Sequence, residues 1–318
     1  MTADRERDVR IAGLRIQVRE AGDGPPVLLV NGMGAPVPWW STLESLLEGL
    51  RLIEFDAPGV GRSQTPWMPL PIQSAAWIAR RVLDEVGVRR ADVLGYSLGG
   101  MVAQELALQS PGRVRRLVLA ATGCGFGGVP APTLRLLNAA TPLRYMSRGL
   151  YERTAPSLFG GAARTDPEFL ARHAARRESH PPNKLGYLMQ AISVGGWSSL
   201  PWLSRLRQPA LVVTGDDDPM MLPVNSYILA RRIPNARLLV ARGEGHLMLM
   251  DAGSAALAPI AAFLRARRLD DEPAWRDARV VDDDALAAAL QATRDASRPL
   301  GAVGAVWRRV WPAVARGA

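Results

Sequence analysis

Val93-Leu94-Gly95-Tyr96-Ser97-Leu98-Gly99-Gly100 decides how the rest of this chain is read. A short apolar run ends in Gly-x-Ser-x-Gly and leads into a segment compatible with helix, residues 101–108. This is the pattern of a strand that turns abruptly into a helix with a serine at the bend. The bend forces Ser97 into a strained backbone conformation, and the glycines two positions either side must lack a Cβ so that strand and helix can approach. The hydroxyl is then held clear of the sheet. N–H groups at a helix start have no intrahelical acceptor, so the Leu98 N–H is placed to face an oxygen that becomes negative when Ser97 attacks a carbonyl.

Moving N-terminally, residues 10–19 alternate apolar and polar around Gly13, which predicts an antiparallel hairpin at the sheet edge with one wetted face. Val27-Leu28-Leu29-Val30 is a continuous apolar run, the mark of a strand buried on both faces. It ends in Asn31-Gly32-Met33-Gly34, a glycine-rich loop whose Met33 N–H is the candidate second oxyanion donor. Helical spacing over 39–50, a strand over 52–56, a compact loop over 57–63, a helix over 72–86 and the strand 91–96 follow. After the serine, a helix to Gln109 is stopped by Pro111, and 117–121 reads as another buried strand. Strands alternating with helices predict an α/β fold with a mostly parallel sheet and helices on both faces.

The rhythm breaks at Thr122. No run from 123 to about 206 reads as a buried strand; helical patches carry Tyr145, Tyr151, Phe159, Tyr187, Met189, Trp197 and Trp202 instead. An inserted helical cap is expected there, shaping an apolar, water-poor pocket over the serine. Most of these aromatics, taken singly, are expected to pack the cap onto the core. The rhythm resumes with the strand 209–214, ending in Gly215-Asp216-Asp217-Asp218-Pro219. A helix over 224–232, a strand over 236–241, the loop Arg242-Gly243-Glu244-Gly245-His246 and a helix over 255–267 complete the pattern. The expected organisation is therefore a core of 1–122 and 207–268, a cap of 123–206 and a C-terminal extension of 269–318. In that extension an acidic link at 270–272 and 282–284 and a short helix at 285–293 precede a basic end with Trp307 and Trp311. Val303, Val306, Trp307, Val310 and Val314 share a helical face there, a surface suited to an apolar particle or membrane interface.

A serine is a poor nucleophile without a base within hydrogen-bond reach. His246, in a glycine-rich loop after the last strand, is the candidate base, whereas His173 and His180 lie among Arg and Pro in the cap and are expected at the surface. An acid must hold the base in one tautomer and stabilise its charged form. Asp218, next to Pro219, is the candidate, with Asp216 the alternative and one of the three aspartates a turn former.

Composition bounds the rest. The chain has 318 residues, 48% hydrophobic and 22% charged, which is globular usage with enough length for a large core. Its net charge of +9 comes almost wholly from scattered arginines, with no basic stripe interleaved with aromatics, so no nucleic-acid partner is expected. A single cysteine, Cys124, excludes an intramolecular disulfide and a multi-cysteine metal site, and three histidines argue against a histidine-rich one. No metal or cofactor is called for. The first ten residues lack an apolar signal region, and no run of about eighteen apolar residues suggests a spanning helix. A cytoplasmic or granule-associated location is the expectation.

The order Ser, Asp, His, with the pieces Val30-Asn31-Gly32-Met33-Gly34, Phe55-Asp56-Ala57-Pro58-Gly59-Val60-Gly61-Arg62-Ser63, Thr141-Pro142-Leu143-Arg144-Tyr145, Trp197-Ser198-Ser199-Leu200-Pro201-Trp202-Leu203 and Gly215-Asp216-Asp217-Asp218-Pro219, resembles the α/β-hydrolases over about residues 10–267. In detail it is similar to the intracellular depolymerases of medium-chain-length polyhydroxyalkanoate. The resemblance implies serine-dependent hydrolysis of polymeric or oligomeric 3-hydroxy fatty-acid esters, with the granule surface or an apolar ester as partner. Tyr96 and Leu98 depart from the Val or Ile and the Trp expected beside the serine, and the tail after Asp270 lies outside the shared region. A carboxylesterase or lactonase for small soluble esters, and a non-catalytic lipid- or granule-binding protein, are the alternatives.

Overall fold

In the computed structural model, residues 4–132, 135, 141 and 147–297 are described. Tyr145, the piece 142–145, and the apolar face around Trp307 and Trp311 lie outside these residues.

Eight strands form one sheet: β1 (Arg5–Ile11), β2 (Leu14–Ala21), β3 (Pro26–Val30), β4 (Arg51–Phe55), β5 (Ala91–Tyr96), β6 (Val114–Ala120), β7 (Ala210–Gly215) and β8 (Ala236–Ala241), in the order β1-β2-β4-β3-β5-β6-β7-β8. The first two pairings, β1 with β2 and β2 with β4, are antiparallel, and all others are parallel. The β1–β2 hairpin closes through Ala12 and Gly13, both at positive φ, as the two-residue turn that matches strand twist requires.

The continuous apolar runs make sense because successive side chains leave opposite faces. Leu28, Val93, Leu117 and Leu119 enter the cluster on one face, while Val27, Leu29, Leu94 and Val118 enter the other. Helices α1 (Ile72–Glu85), α2 (Leu98–Gln109) and α6 (Val224–Arg232) cover the first face, and α7 (Leu257–Arg265) covers the second with Trp39, Trp40 and Leu43. Residues 39–50 do not form the continuous helix that their spacing suggests. They make a 3₁₀ turn, Val37–Trp40, and one helical turn, Ser41–Glu44, with Gly49 at positive φ before β4. The apolar spacing is satisfied by burial against the sheet without a long helix.

Between β6 and β7 lie helices α3 (Arg148–Phe159), α4 (Pro167–Ser179) and α5 (Lys184–Ser193). Tyr151, Phe159, Tyr187 and Trp197 are buried in packing, and Met189 lines a cavity. His173 departs from the surface position expected of it. It is buried on α4, its Nδ1 is 2.6 Å from the Tyr151 hydroxyl, and Trp39, Tyr151, Phe159 and Phe169 surround its ring. Burial, with Arg177 and Arg176 nearby, holds its pKa well below the usual histidine value. His180 is exposed.

The acidic residues beyond Asp270 do not form a free link. Glu272 caps the turn Pro273–Arg276, Asp282 accepts the Ala285 N–H, and Asp283 pairs with Arg231. Leu238 and Arg279 exchange backbone hydrogen bonds of 2.8 Å, so this segment covers the exposed edge of β8. Helix α8 (Asp283–Ser297) then follows, with Ala285 and the preceding Val281 joining the first core cluster. Among the described residues no helix is long and apolar enough to cross a membrane.

Candidate active site

The C-terminal ends of β3, β5, β7 and β8 deliver Asn31 to Gly34, Ser97, Asp216 to Asp218 and His246 to one edge of the sheet, where open α/β folds place ligands. Ser97 sits between β5 and α2 at φ 54 and ψ −119. A non-glycine residue held there costs about 1–3 kcal/mol and persists only when its surroundings fix it. Three contacts do so: the Ser97 N–H donates to the Ala120 carbonyl at 2.9 Å, and the Ser97 carbonyl accepts from Gly100 N–H at 2.9 Å and from the Thr122 hydroxyl at 2.7 Å. The flanking glycines are required by approach. A Cβ on Gly95 would lie 2.6 Å from Gly100 Cα, and one on Gly99 would strike the Val30 carbonyl and come within 2.6 Å of the Asn31 oxygen.

His246 Nε2 lies 3.0 Å from Ser97 Oγ, and His246 Nδ1 lies 2.8 Å from Asp218 Oδ2. The Asp218 side chain is fully buried and that of His246 only 4% exposed, so bulk water does not screen the pair. The other Asp218 oxygen accepts the N–H groups of Met220 and Met221 at 2.9 and 2.8 Å, which fixes the carboxylate plane. Asp216 instead accepts the Gly243 N–H, and Asp217 accepts the Gly161 N–H and pairs with Arg164. Of the three adjacent carboxylates, the one aimed at the imidazole is Asp218.

Two supports of His246 were not expected. The Tyr96 hydroxyl donates to the His246 carbonyl at 2.8 Å, and the His246 N–H donates to the Phe159 carbonyl at 2.7 Å. The Tyr96 and Phe159 rings flank the imidazole, with centroids 5.4 and 6.2 Å away. Tyr96 is visible in the sequence as a departure beside the serine. The Phe159 ring is one of the aromatics expected to pack in the cap, but its backbone carbonyl, which holds the His246 N–H, leaves no mark on residue type.

On the other side of Ser97, Leu98 begins α2, so its N–H is among those a helix leaves without an internal acceptor. Met33 is half-buried in the turn after β3, whose Ala35 N–H returns to the Gly32 carbonyl at 3.2 Å. A Cβ on Gly32 would lie 3.3 Å from Ser97 Cβ, so this loop passes directly over the serine. The Asn31 side chain donates to the Pro36 carbonyl, and Gln190 of α5 accepts the Gly34 N–H at 2.8 Å. A small cavity of about 50 Å³ opens beside Leu98 and Asn31, walled by Phe55, Leu70, Ile72, Val102 and Met189. No cluster of three or more metal-ligating side chains occurs among the described residues. An acid, an imidazole and a hydroxyl in line, beside a helix N-terminus and an apolar slot, are arranged for nucleophilic attack on an acyl carbon.

Comparison with known proteins agrees with this architecture. Residues 25–253 match the family described as alpha/beta hydrolase fold. Over 244 residues, 76% of this chain and 85% of the relative, the sequence is 39% identical to a poly(3-hydroxyalkanoate) depolymerase of Ectopseudomonas oleovorans. Among solved structures, a hydrolase from Pseudomonas aeruginosa PA01 superposes with a TM-score of 0.65 at 27% identity, covering 74% of this chain and 89% of that one. Est816, described as an N-acyl homoserine lactone degrading enzyme, gives 0.65 at 27% identity over 77% of this chain and 95% of its own. The strand order, the bend at Ser97 and these matches together make the chain a member of the α/β-hydrolase family.

Proposed function

We propose that this protein is a serine hydrolase that cleaves poly- or oligo(3-hydroxyalkanoate) esters through an acyl-enzyme. The observation that carries the reading is the continuous line Ser97 Oγ, His246 Nε2, His246 Nδ1, Asp218 Oδ2, with links of 3.0 and 2.8 Å. In this mechanism Ser97 attacks the ester carbonyl while His246 takes its proton, and Asp218 holds the imidazole in the required tautomer. The Met33 and Leu98 N–H groups hold the oxyanion of the tetrahedral intermediate. Collapse of that intermediate expels the alcohol, which receives the proton from His246. Water, activated by the same imidazole, then attacks the acyl-enzyme, releasing the acid and restoring Ser97.

The polyester substrate class is supported by the relative at 39% identity and by the character of the mouth. Trp67, Leu188 and Ile192 are exposed and next in the chain to cavity-lining Pro66, Met189 and Ser193, and Met68 and Leu185 are exposed on the same two segments. Asn183 bonds to Thr65, which ties these two segments together. An apolar rim of this kind suits a substrate that is itself an apolar surface. The small volume of the cavity favours a second reading, a carboxylesterase or lactonase for small esters.

Release of 3-hydroxy acids from a medium-chain polyester suspension, measured beside hydrolysis of short p-nitrophenyl esters, separates the two. Ser97→Ala is expected to lower either activity by about six orders of magnitude. Failure of a fluorophosphonate to label the wild-type serine favours a non-catalytic binding role, whereas near-normal turnover by the Ala variant overturns Ser97 as the nucleophile.

A further inference from the structure

Met33 stands between two glycines, so the peptides on either side of it have little steric reason to keep one orientation. The Gly32 carbonyl accepts the Ala35 N–H, and this fixes the first peptide; because a trans peptide sets C=O and N–H on opposite sides, it also aims the Met33 N–H. The second peptide is fixed from outside the core. Its Gly34 N–H, at a residue with φ 65, donates to Gln190 Oε1 on α5 at 2.8 Å. The same helix presses on the loops at two more places: a Cβ on Gly34 would lie 2.6 Å from Tyr187 Cδ2, and a Cβ on Gly186 would lie 2.6 Å from Gly59 Cα. Helix and loop thus meet at backbone distance, with one side-chain acceptor setting the orientation.

We propose that Gln190 is a positioning residue for the oxyanion side of the site. By accepting the Gly34 N–H it prevents the Met33–Gly34 peptide from turning over, and so keeps the loop on the path over Ser97 along which the Gly32–Ala35 bond aims the Met33 N–H. The inference rests on the serine-hydrolase reading and deepens it, since it makes the seating of α5 a condition for a competent oxyanion hole. Gln190 acts through the loop and does not itself touch the reacting atoms. Its effect therefore belongs to the transition state more than to substrate binding.

The test uses the full chain, a soluble p-nitrophenyl ester, and an alkyl boronic acid that forms a tetrahedral adduct with the serine hydroxyl. Gln190→Met and Gln190→Leu keep the bulk of the cavity wall and remove the acceptor, with rates normalised to folded protein from the thermal-unfolding amplitude. The expected result is a fall in kcat of about tenfold to a hundredfold with KM within about threefold, and boronate affinity weakened by the same factor as kcat/KM. Met189→Ala, which alters the neighbouring cavity wall only, is expected to move KM and leave the boronate factor out of step with kcat. Gln190 variants that shift KM alone, or that match wild type in kcat and boronate affinity, overturn the inference. If Ser97→Ala is inactive while Gln190→Met is normal, only the positioning role fails; if Ser97→Ala remains active, the serine reading fails and takes the positioning role with it.

Discussion

Replacing Asp218 by Asn tests the proposed chemistry with almost no change in volume, and the structure dictates which way the new amide must face. Asp218 Oδ1 accepts two backbone N–H groups, from Met220 and Met221, so an NH2 placed there would set donors against donors. The amide oxygen therefore stays on those two groups and the NH2 faces His246 Nδ1, 2.8 Å from the present carboxylate oxygen. The imidazole then accepts at Nδ1 and carries its proton on Nε2, which points at Ser97 Oγ. A base that already holds a proton where it should take one is useless, and the imidazolium loses its counter-charge. The same exchange in the serine-protease triad lowers kcat about 10⁴-fold, equivalent to about 5 kcal/mol of barrier. Acylation measured by stopped flow with a p-nitrophenyl ester at pH 7.5 should fall by that order, while the melting temperature stays near wild type because both backbone hydrogen bonds survive. Asp216→Asn and Asp217→Asn serve as controls within a few-fold of wild type, since those carboxylates hold Gly243, Gly161 and Arg164. An Asp218→Asn protein acylating within tenfold of wild type would refute the reasoning.

Two further outcomes follow from buried titratable groups. Glu54 on β4 is fully buried, and burial with Glu44 beside it raises its pKa to about 8 despite the Arg19 guanidinium at its carboxylate. Its folded form thus binds a proton that the unfolded chain releases near 4.5, so its stabilising contribution is complete below that pH and is lost as pH rises toward 8. Glu54→Gln should remove a slope of up to about 1.4 kcal/mol per pH unit between those values, read as a flatter melting temperature against pH; an unchanged slope counts against it. His173 works in the opposite sense. Because its folded pKa is depressed, its contribution is present above the ordinary value of 6.5 and lost as pH falls below it. His173→Phe should cost about 0.5–1.5 kcal/mol at pH 8 by removing the hydrogen bond between His173 Nδ1 and the Tyr151 hydroxyl, yet lessen the decline of stability from pH 6.5 to 4.5. A decline as steep as wild type's would exclude His173 as its source.

What could be read from the sequence was whatever is local. The apolar runs at 27–30, 93–94, 117–121 and 210–213 are legible because a strand between two helical layers must be apolar on both faces. Ser97 and His246 are legible because a sharp bend needs glycine and a swinging base needs a loop. Residue type does not separate Asp218 from Asp216, for all three aspartates follow the same strand; the turn through Pro219, Met220 and Met221 aims the Asp218 carboxylate at the imidazole. The burial of His173 is not legible for a related reason. Its Arg-rich surroundings in sequence suggest solvent, but α4 turns the face bearing Phe169 and His173 toward Trp39, a contact across more than a hundred residues. Phe159 and Gln190 act through a backbone oxygen and an ordinary amide, neither of which any local pattern announces.

These supports also tie the segment between β6 and β7 to the two sides of the site. Its first part is tied to the base: Phe159 accepts the His246 N–H, and Gly161 donates to Asp217 and lies against Gly245. Displacing residues 159–161 would therefore shift His246 off Ser97. Helix α5 is held to the opposite side by the Gln190 bond and by close contacts at Gly34 and Gly59, while its outer residues Leu185, Leu188 and Ile192 face solvent. Opening at α5 would release the oxyanion loop but leave the line of Ser97, His246 and Asp218 intact. In the proposed mechanism a substrate entering there would find Ser97 and His246 already in line. Entry past Phe159 would displace His246 from Ser97, so the proposed mechanism favours the apolar rim at Trp67 and α5 as the side of approach.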